Sequence, residues 1–268
     1  ANWNVAIGQG AMESAAASVA FEGAIAIGKG TLNALNNTSA NYTIAIGYDA
    51  GAAITSGASN VAIGYEALKT TTTGLRNIAI GYEAMHDTDA GSTSSDSDNN
   101  IFIGYTAGGG AWANAKSENN VAIGSNVMQG VLNGANNNTA LGYFALASIT
   151  SGDTNVGIGS EAGGALTTGI KNVIMGVQAG DAMTNSNYTT LIGYQAGSAI
   201  NSTDANGTVA IGYEAGKAIT TGAGNTIIGY QACLAATTVH LSTVLGYQAG
   251  LNLTNDRDNT LIGYLAGE

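Results

Sequence analysis

Two carboxylates at matching positions of a sequence repeat form the most plausible pair for hydrolytic chemistry in this chain. Glu66 and Glu83 each follow an Ile-Gly-Tyr triplet, and they belong to consecutive copies of the repeat. If each copy is one coil of a stack, their carboxylates would lie about 5 Å apart. Paired carboxylates hydrolyse glycosidic bonds. However, Gln195, Gln231 and Gln248 fill the same position in other copies. We therefore interpret it as a polar repeat position and predict no catalytic residues.

Histidine and cysteine offer no second site with a recognisable spacing. His86 and His240 stand in loop-like segments, without a carboxylate and a nucleophile at the spacing of a catalytic triad. Two histidines and one cysteine do not make a typical zinc site. Cys233 occupies a position that holds Gly, Leu or Met in other copies, which favours a buried structural thiol. We expect neither a metal nor a cofactor.

The longest insertion between repeats, from Asp87 to Asn99, combines serines with four aspartates, Asp87, Asp89, Asp96 and Asp98. Oxygen ligands of this type suit calcium. Their spacing matches no calcium-binding loop, so a solvated acidic loop is the preferred interpretation and a calcium site is the alternative.

Tyrosine follows glycine in most copies of the repeat, and stacked coils would bring these rings into one line. An exposed line of aromatic rings could bind sugar rings. The alternative is a structural role at a corner of the coil. The candidate glycan-stacking ladder consists of Tyr48, Tyr65, Tyr82, Tyr105, Tyr194, Tyr213, Tyr230, Tyr247 and Tyr264.

The element that must position these residues is a repeat centred on one glycine, which we call the anchor glycine. A 17-residue step between anchors is the commonest, and the longest step runs from Gly81 to Gly104. A repeat of this length predicts a solenoid, so we expect residues 1–268 to form a single array. Residues 1–40 are irregular, with Gln9 and Lys29 in place of Tyr, and are a candidate N-terminal cap or junction. The fifteen anchors are Gly8, Gly28, Gly47, Gly64, Gly81, Gly104, Gly124, Gly142, Gly159, Gly176, Gly193, Gly212, Gly229, Gly246 and Gly263.

The three residues before each anchor predict a short β-strand. The first is β-branched and the third is aliphatic, as in Val61 and Ile63, so the two share one strand face. Stacked copies predict an all-β fold, a parallel β-solenoid of about fifteen coils with an aliphatic ladder. The residue between them is usually Ala, as in Ala62. We expect neighbouring chains to bury that small-residue face, although the outer loop of the same chain could also cover it.

The position four residues before the anchor is mostly Asn, as in Asn60, Asn77 and Asn155. Asn tolerates turn conformations, and aligned Asn side chains can form hydrogen bonds up and down a stack. These residues are expected to hold neighbouring coils in register.

Composition excludes several classes of partner. The net charge of −11 argues against nucleic acid as a partner. No apolar run is long enough to span a bilayer, so membrane insertion is not expected. Charged residues make up only 9% of the chain, yet the periodic aliphatic positions argue against disorder.

Copies such as Asn60-Val61-Ala62-Ile63-Gly64 and Ile192-Gly193-Tyr194-Gln195-Ala196-Gly197 resemble repeats of phage tail-fibre-type proteins and bacterial surface proteins. More loosely, they resemble the Val-Ala-Ile-Gly head repeats of trimeric autotransporter adhesins. The resemblance covers nearly the whole chain, from Asn4 to Gly267. It implies a homotrimeric fibre located outside the cell or on a virion. The adhesin heads are left-handed parallel β-rolls, from which this chain differs in its 17-residue step and its tyrosines.

Three functional hypotheses follow from the sequence. The first is a structural and adhesive fibre segment, a phage tail fibre or a surface adhesin shaft, whose loops meet a cell-surface polysaccharide. The second is an extracellular filament subunit that assembles head to tail. The third, an enzyme that degrades polysaccharides, would require Glu66 and Glu83 to act together.

Overall fold

The chain is all-β and forms a parallel β-solenoid, as predicted. A computed structural model describes residues 3–14, 22–35, 41–88, 96–254 and 257–268. The chain divides into two compact units, Ala1–Asn137 and Asn138–Glu268. Each unit repeats the same coil, in which a three-residue strand ends at an anchor glycine and a chain of turns leads to the next strand.

The described residues of the first unit form seven strands that pair in parallel, each with the next along the chain. The register joins equivalent positions, so Ala62 of one coil faces Ala79 of the next. The strands are Val5–Ile7 (β1), Ile25–Ile27 (β2), Ile44–Ile46 (β3), Val61–Ile63 (β4), Ile78–Ile80 (β5), Ile101–Ile103 (β6) and Val121–Ile123 (β7). β1 and β2 keep this register although their coils lack the tyrosine.

The described part of the second unit forms eight strands arranged in the same way. A short 3₁₀ helix, Thr203–Ala205, lies in the outer loop before its fifth strand. The strands are Thr139–Leu141 (β8), Val156–Ile158 (β9), Val173–Met175 (β10), Thr190–Ile192 (β11), Val209–Ile211 (β12), Thr226–Ile228 (β13), Thr243–Leu245 (β14) and Thr260–Ile262 (β15). Each of these strands lies immediately before an anchor glycine, where the sequence predicted it.

The faces of these strands are the reverse of our expectation. From β2 to β14 the middle residue is buried, whereas the first and third residues are partly or fully exposed. Ala62 has no exposed surface, while Ile123 is 41% exposed. The Ala face that we assigned to neighbouring chains is therefore the internal face of the coil. The aliphatic ladder points outward.

The small middle residue is explained by what lies opposite it inside the coil. The fourth residue after the anchor is a large buried side chain, such as Leu68 or Met85, in several coils with a middle Ala. Where the middle residue is Phe102, the fourth position is Gly108, and an added Cβ there would lie 2.5 Å from the Phe102 ring. The narrow core thus has room for one large side chain across these two positions.

The anchor glycines share a backbone conformation that L-residues rarely adopt, and most of them also have a close contact that excludes a side chain. At Gly64 the φ angle is +137°, and a Cβ would overlap the carbonyl oxygen of Gly81 in the next coil. L-residues rarely adopt this conformation. The second residue after the anchor also has positive φ in the described coils, for example Glu66 at +52° and Gln231 at +50°.

A buried ladder of Asn side chains joins successive coils, as the sequence predicted. The backbone N–H of Asn77 donates to Oδ1 of Asn60 over 2.8 Å. Nδ2 of Asn77 donates to the carbonyl oxygen of Ser97 in the outer loop, again over 2.8 Å. Both Asn side chains are fully buried. Since buried polar groups must find partners, this ladder fixes the register as well as the spacing of the coils.

Candidate interaction surface

The outward side of a typical coil carries three uncharged residues in a row. They are the first and third strand residues and the tyrosine after the anchor, for example Val61, Ile63 and Tyr65 in β4 and the turn that follows it. We call the first and third strand residues together the outward aliphatic face. Both rows are uncharged in every strand: the third residue is always apolar, and the first is Val or Ile in the first unit and Thr in five of the eight strands of the second unit. Partial exposure of such a row marks it as a candidate interface.

The nine tyrosines of the candidate ladder form two stacks, one in each unit. Tyr48, Tyr65, Tyr82 and Tyr105 make the first stack, with ring centroids 5.1–5.2 Å apart and interplanar angles of 8–10°. The second stack consists of Tyr194, Tyr213, Tyr230, Tyr247 and Tyr264, with centroid distances of 5.1–5.5 Å. The predicted aromatic ladder is thus present in both units.

The stacking determines which part of each ring a ligand can meet. Within a stack each ring covers the face of its neighbour, and Nζ of Lys29 lies 5.6 Å from the centroid of Tyr48. Tyr65 and Tyr82 nevertheless remain 41% and 43% exposed. The solvent therefore meets a row of ring edges and hydroxyls. A sugar on an inner ring would bind to this edge through hydrogen bonds, because the ring faces are already in contact with each other.

A row of hydrogen-bonded carboxylates and amides runs beside the tyrosines. Nε2 of Gln178 donates to Glu161, and Nε2 of Gln195 donates to Gln178, each over 2.9 Å. Gln231 donates to Glu214 in the same way. This is the position that the sequence identified as polar. Its side chains bond to one another along the stack.

Glu66 has a set of partners that the sequence did not reveal. Its carboxylate lies 3.0 Å from Nζ of Lys69 and 2.8 Å from Nε2 of His86. We predicted that no carboxylate and nucleophile accompany His86 at the spacing of a catalytic triad, and that search for a local motif did not reveal this contact. The partners stand 20 residues apart. The contact could have been found by aligning consecutive coils, because Glu66 and His86 then fall three positions apart in neighbouring coils.

The partners of Glu66 keep it ionised. Burial alone would raise the pKa of its carboxyl, yet this pKa is lowered overall. Hydrogen bonds from Lys69, Tyr65 and His86 cause the lowering. A general acid in glycoside hydrolysis needs a raised pKa. The environment of Glu66 therefore suits an ion pair better than acid catalysis.

Of the remaining candidate residues, Cys233 is buried and two aspartates of the acidic insertion form ion pairs. Burial raises the pKa of the Cys233 thiol to about 12, as befits a structural thiol. In the acidic insertion, Oδ2 of Asp98 lies 3.8 Å from a guanidinium nitrogen of Arg76. Oδ2 of Asp96 lies 3.9 Å from Nζ of Lys116. Asp89 lies outside the described residues. Within the described ranges, no cluster of three or more His, Cys, Asp or Glu residues is arranged to hold a metal ion.

Comparisons with known proteins return no relative. No family profile, curated protein or solved structure matches this chain. In the part of the chain that the structure describes, no helix has the length and hydropathy needed to cross a bilayer.

Proposed function

We propose that this chain is a structural and adhesive segment of an extracellular or virion fibre, a phage tail fibre or a surface adhesin shaft. The observation that carries the proposal is the outward aliphatic face, which continues from coil to coil on a hydrogen-bonded scaffold in each unit. The scaffold provides stiffness and the face provides a means of association. In this role the chain catalyses no reaction.

The stiffness has its source in backbone and side-chain bonds between coils. The N–H of Gly64 donates to the backbone carbonyl oxygen of Ile46, and the N–H of Glu66 donates to that of Tyr48, each over 2.8 Å. The buried Asn ladder adds bonds that do not depend on solvent-exposed groups. Because each coil is held by both neighbours, bending the array would break several bonds at once. Such a scaffold suits a shaft.

We propose that the outward aliphatic face packs against two further copies of the same chain in a homotrimer. Ile63 and Ile80 lie in adjacent strands on this face, with no charge within the rows. A second copy offers equally spaced aliphatic rows, so two such faces can interdigitate along their length. Burying them removes apolar surface from water at about 25 cal/mol per Å². The same arrangement leaves the variable outer loops free to contact a receptor.

A cell-surface polysaccharide is the proposed receptor. Outer loops rich in Thr, Ser and Asn offer hydroxyl and amide groups, as in Thr70–Thr73, and the tyrosine stacks add a row of hydroxyls. These groups suit hydrogen bonding to sugars. Wild-type protein should bind glycans on an array without releasing reducing ends. Reducing-end release that disappears in Glu66→Gln or Glu83→Gln would contradict the non-catalytic proposal.

The association is tested by light scattering on wild type and on a double variant, Ile63→Glu with Ile80→Glu. Wild type should have about three times the 26.6 kDa of one chain. The variant should be monomeric with an unchanged circular dichroism spectrum, because its new charges lie on the outward face. Val131→Glu is the control, since Val131 is 49% exposed outside the strands. A wild-type mass equal to that of a single chain would refute the homotrimer. Long filaments would favour head-to-tail assembly instead.

A further inference from the structure

The tyrosines fall into two groups that differ in the neighbours of their rings. Inner rings of the stacks, such as Tyr65 and Tyr230, are 41% and 43% exposed and lie 5.1 Å from the next tyrosine ring. Tyr42, Tyr143 and Tyr188 are more exposed, at 63%, 52% and 56%. Their neighbours are of other types. Tyr42 lies against Gly23, Tyr143 meets Phe144 edge-on, and Nζ of Lys171 lies over Tyr188.

We propose that the two tyrosine stacks are sites of oxidative coupling, at which a haem peroxidase with hydrogen peroxide joins neighbouring coils through 3,3′-dityrosine bonds. The modification is covalent and lies within one chain. It is independent of the proposed fibre function, because it requires only the stacked phenols and a one-electron oxidant.

The reaction balances without any further reactant. Each of two phenols loses one electron and its hydroxyl proton, giving two phenoxyl radicals. The radicals combine at the carbons next to the oxygen-bearing carbons, and a carbon–carbon bond forms. The two protons on the newly joined carbons leave, and the two oxygens are reprotonated. Hydrogen peroxide accepts the two electrons and two protons, and it is reduced to two molecules of water.

The backbone already holds the two reacting rings side by side. The residue after each tyrosine bonds the preceding coil, so that the N–H of Glu83 donates to the carbonyl of Tyr65 over 2.8 Å. Adjacent rings are then parallel within 8–10° in the first stack. A reaction between groups held in this way avoids the entropy cost of bringing them together. Each ring also remains partly exposed, so the oxidant can reach it.

In the first stack, the carboxylates beside Tyr65 and Tyr82 are suited to receive the phenolic protons. A hydrogen bond with Glu66 raises the pKa of Tyr65, and Glu83 has the same effect on Tyr82. At neutral pH these phenols are therefore protonated, and each has a base beside it. Loss of the electron and transfer of the proton can then occur together at one site.

The test treats dilute, folded protein with a haem peroxidase and hydrogen peroxide, followed by proteolysis and mass spectrometry. Cross-linked peptides two hydrogens lighter than their sum are expected at stacked neighbours, among them Tyr48–Tyr65, Tyr65–Tyr82, Tyr82–Tyr105, Tyr213–Tyr230 and Tyr230–Tyr247. The yields should be several-fold higher than at Tyr42, Tyr143 or Tyr188. A mixture of ¹⁴N-labelled and ¹⁵N-labelled chains separates the outcomes, since coupling within one chain gives no mixed-isotope pairs.

The Tyr65→Phe variant provides the matched control, because phenylalanine retains the ring packing but lacks the phenol. Both cross-links to position 65 should disappear, while the Tyr82–Tyr105 bond should form as before. The coupled wild type should unfold at a higher temperature than the untreated protein, because the new bonds restrict the unfolded chain. Equal yields at the unstacked tyrosines, or mainly mixed-isotope pairs, would overturn the proposal.

Discussion

Oδ1 of Asn155 accepts two hydrogen bonds from Asn172 in the next coil, one from its backbone N–H over 3.1 Å and one from its side-chain amide over 2.9 Å. Nδ2 of Asn155 in turn donates to the carbonyl oxygen of Gly169 over 2.8 Å. One fully buried amide therefore ties the residue before a neighbouring strand to an outer loop. The stability of the coil depends on all of these contacts being present together.

Replacing this amide should cause a large loss of stability. Asn155→Ala leaves the Asn172 N–H and the Gly169 carbonyl without their partner, at a cost of roughly 1–3 kcal/mol for each buried group. Urea unfolding followed by circular dichroism measures the loss. The control is Asn201→Ala, since Asn201 is exposed. Equal midpoints for the two variants would show that the ladder does not stabilise the fold.

An anchor glycine should tolerate no side chain. At Gly193 the φ angle is +134°, and an added Cβ would overlap the carbonyl oxygen of Gly212. Gly193→Ala should cost roughly 1–3 kcal/mol for the backbone conformation alone, and the overlap adds to this. Gly207 is the comparison, with φ of +72° and no described atom within 4 Å of an added Cβ. Gly207→Ala should cost only about 1–2 kcal/mol in thermal or urea unfolding. A Gly193 variant as stable as the Gly207 variant would contradict the close stacking of the anchors.

The shared space in the core can be measured with a double-mutant cycle at Phe102 and Gly108. Phe102→Ala should cost about 3–5 kcal/mol, because it opens a cavity beside Trp112, whose ring centroid lies 5.7 Å away. Gly108→Met alone should also destabilise the fold, since its side chain would meet the Phe102 ring. The double variant recreates the Ala79 and Met85 arrangement of the preceding coil. Its loss in free energy of unfolding should be roughly 0.5–3 kcal/mol smaller than the sum of the losses in the two single variants. Strict additivity in urea unfolding would refute the compensation.

The ion pair at Glu214 should make stability depend on pH. Lys217 and then Gln231 lower the pKa of the Glu214 carboxyl by hydrogen bonding. A lowered pKa in the folded state gives stability that is present above the ordinary value of 4.5 and is lost as the pH falls through the folded pKa. Wild type should therefore lose more stability than Glu214→Gln between about pH 7 and about pH 3. The exposed Glu268, changed to Gln, is the control. Parallel pH profiles for wild type and Glu214→Gln would contradict this assignment.

The positions of the strands could be predicted from the sequence because each anchor glycine marks the end of a strand. Val61-Ala62-Ile63-Gly64 contains two branched residues at strand spacing and a glycine whose conformation ends the strand. The buried Asn ladder and the tyrosine stacks followed from the same alignment of copies. These features depend only on which residues share a position in successive coils, and that information is present in the repeat.

The direction of the strand faces could not be obtained in the same way. Ile63 is more apolar than Ala62, so burial of Ile63 was the natural expectation. The coil is so narrow, however, that Leu68 already fills the space facing the strand. The useful signal was that a large residue in the middle of the strand accompanies a small one four residues after the anchor, as in Phe102 with Gly108, and that the reverse holds for Ala62 with Leu68. The Glu66–His86 contact was missed because it joins two different repeat positions of adjacent coils.

The stacking of each anchor glycine on the next has a consequence for how such a chain can change in length. Gly212, Gly229 and Gly246 repeat one environment at a constant interval along the chain. Removing one complete coil would place equivalent positions against each other, whereas a change confined to an outer loop leaves the number of coils unchanged, as across the long step from Gly81 to Gly104, where β5 and β6 keep their register. Length in this array is therefore a discrete quantity. Gene duplication or deletion can alter its reach in steps of about 4.8 Å, one coil at a time.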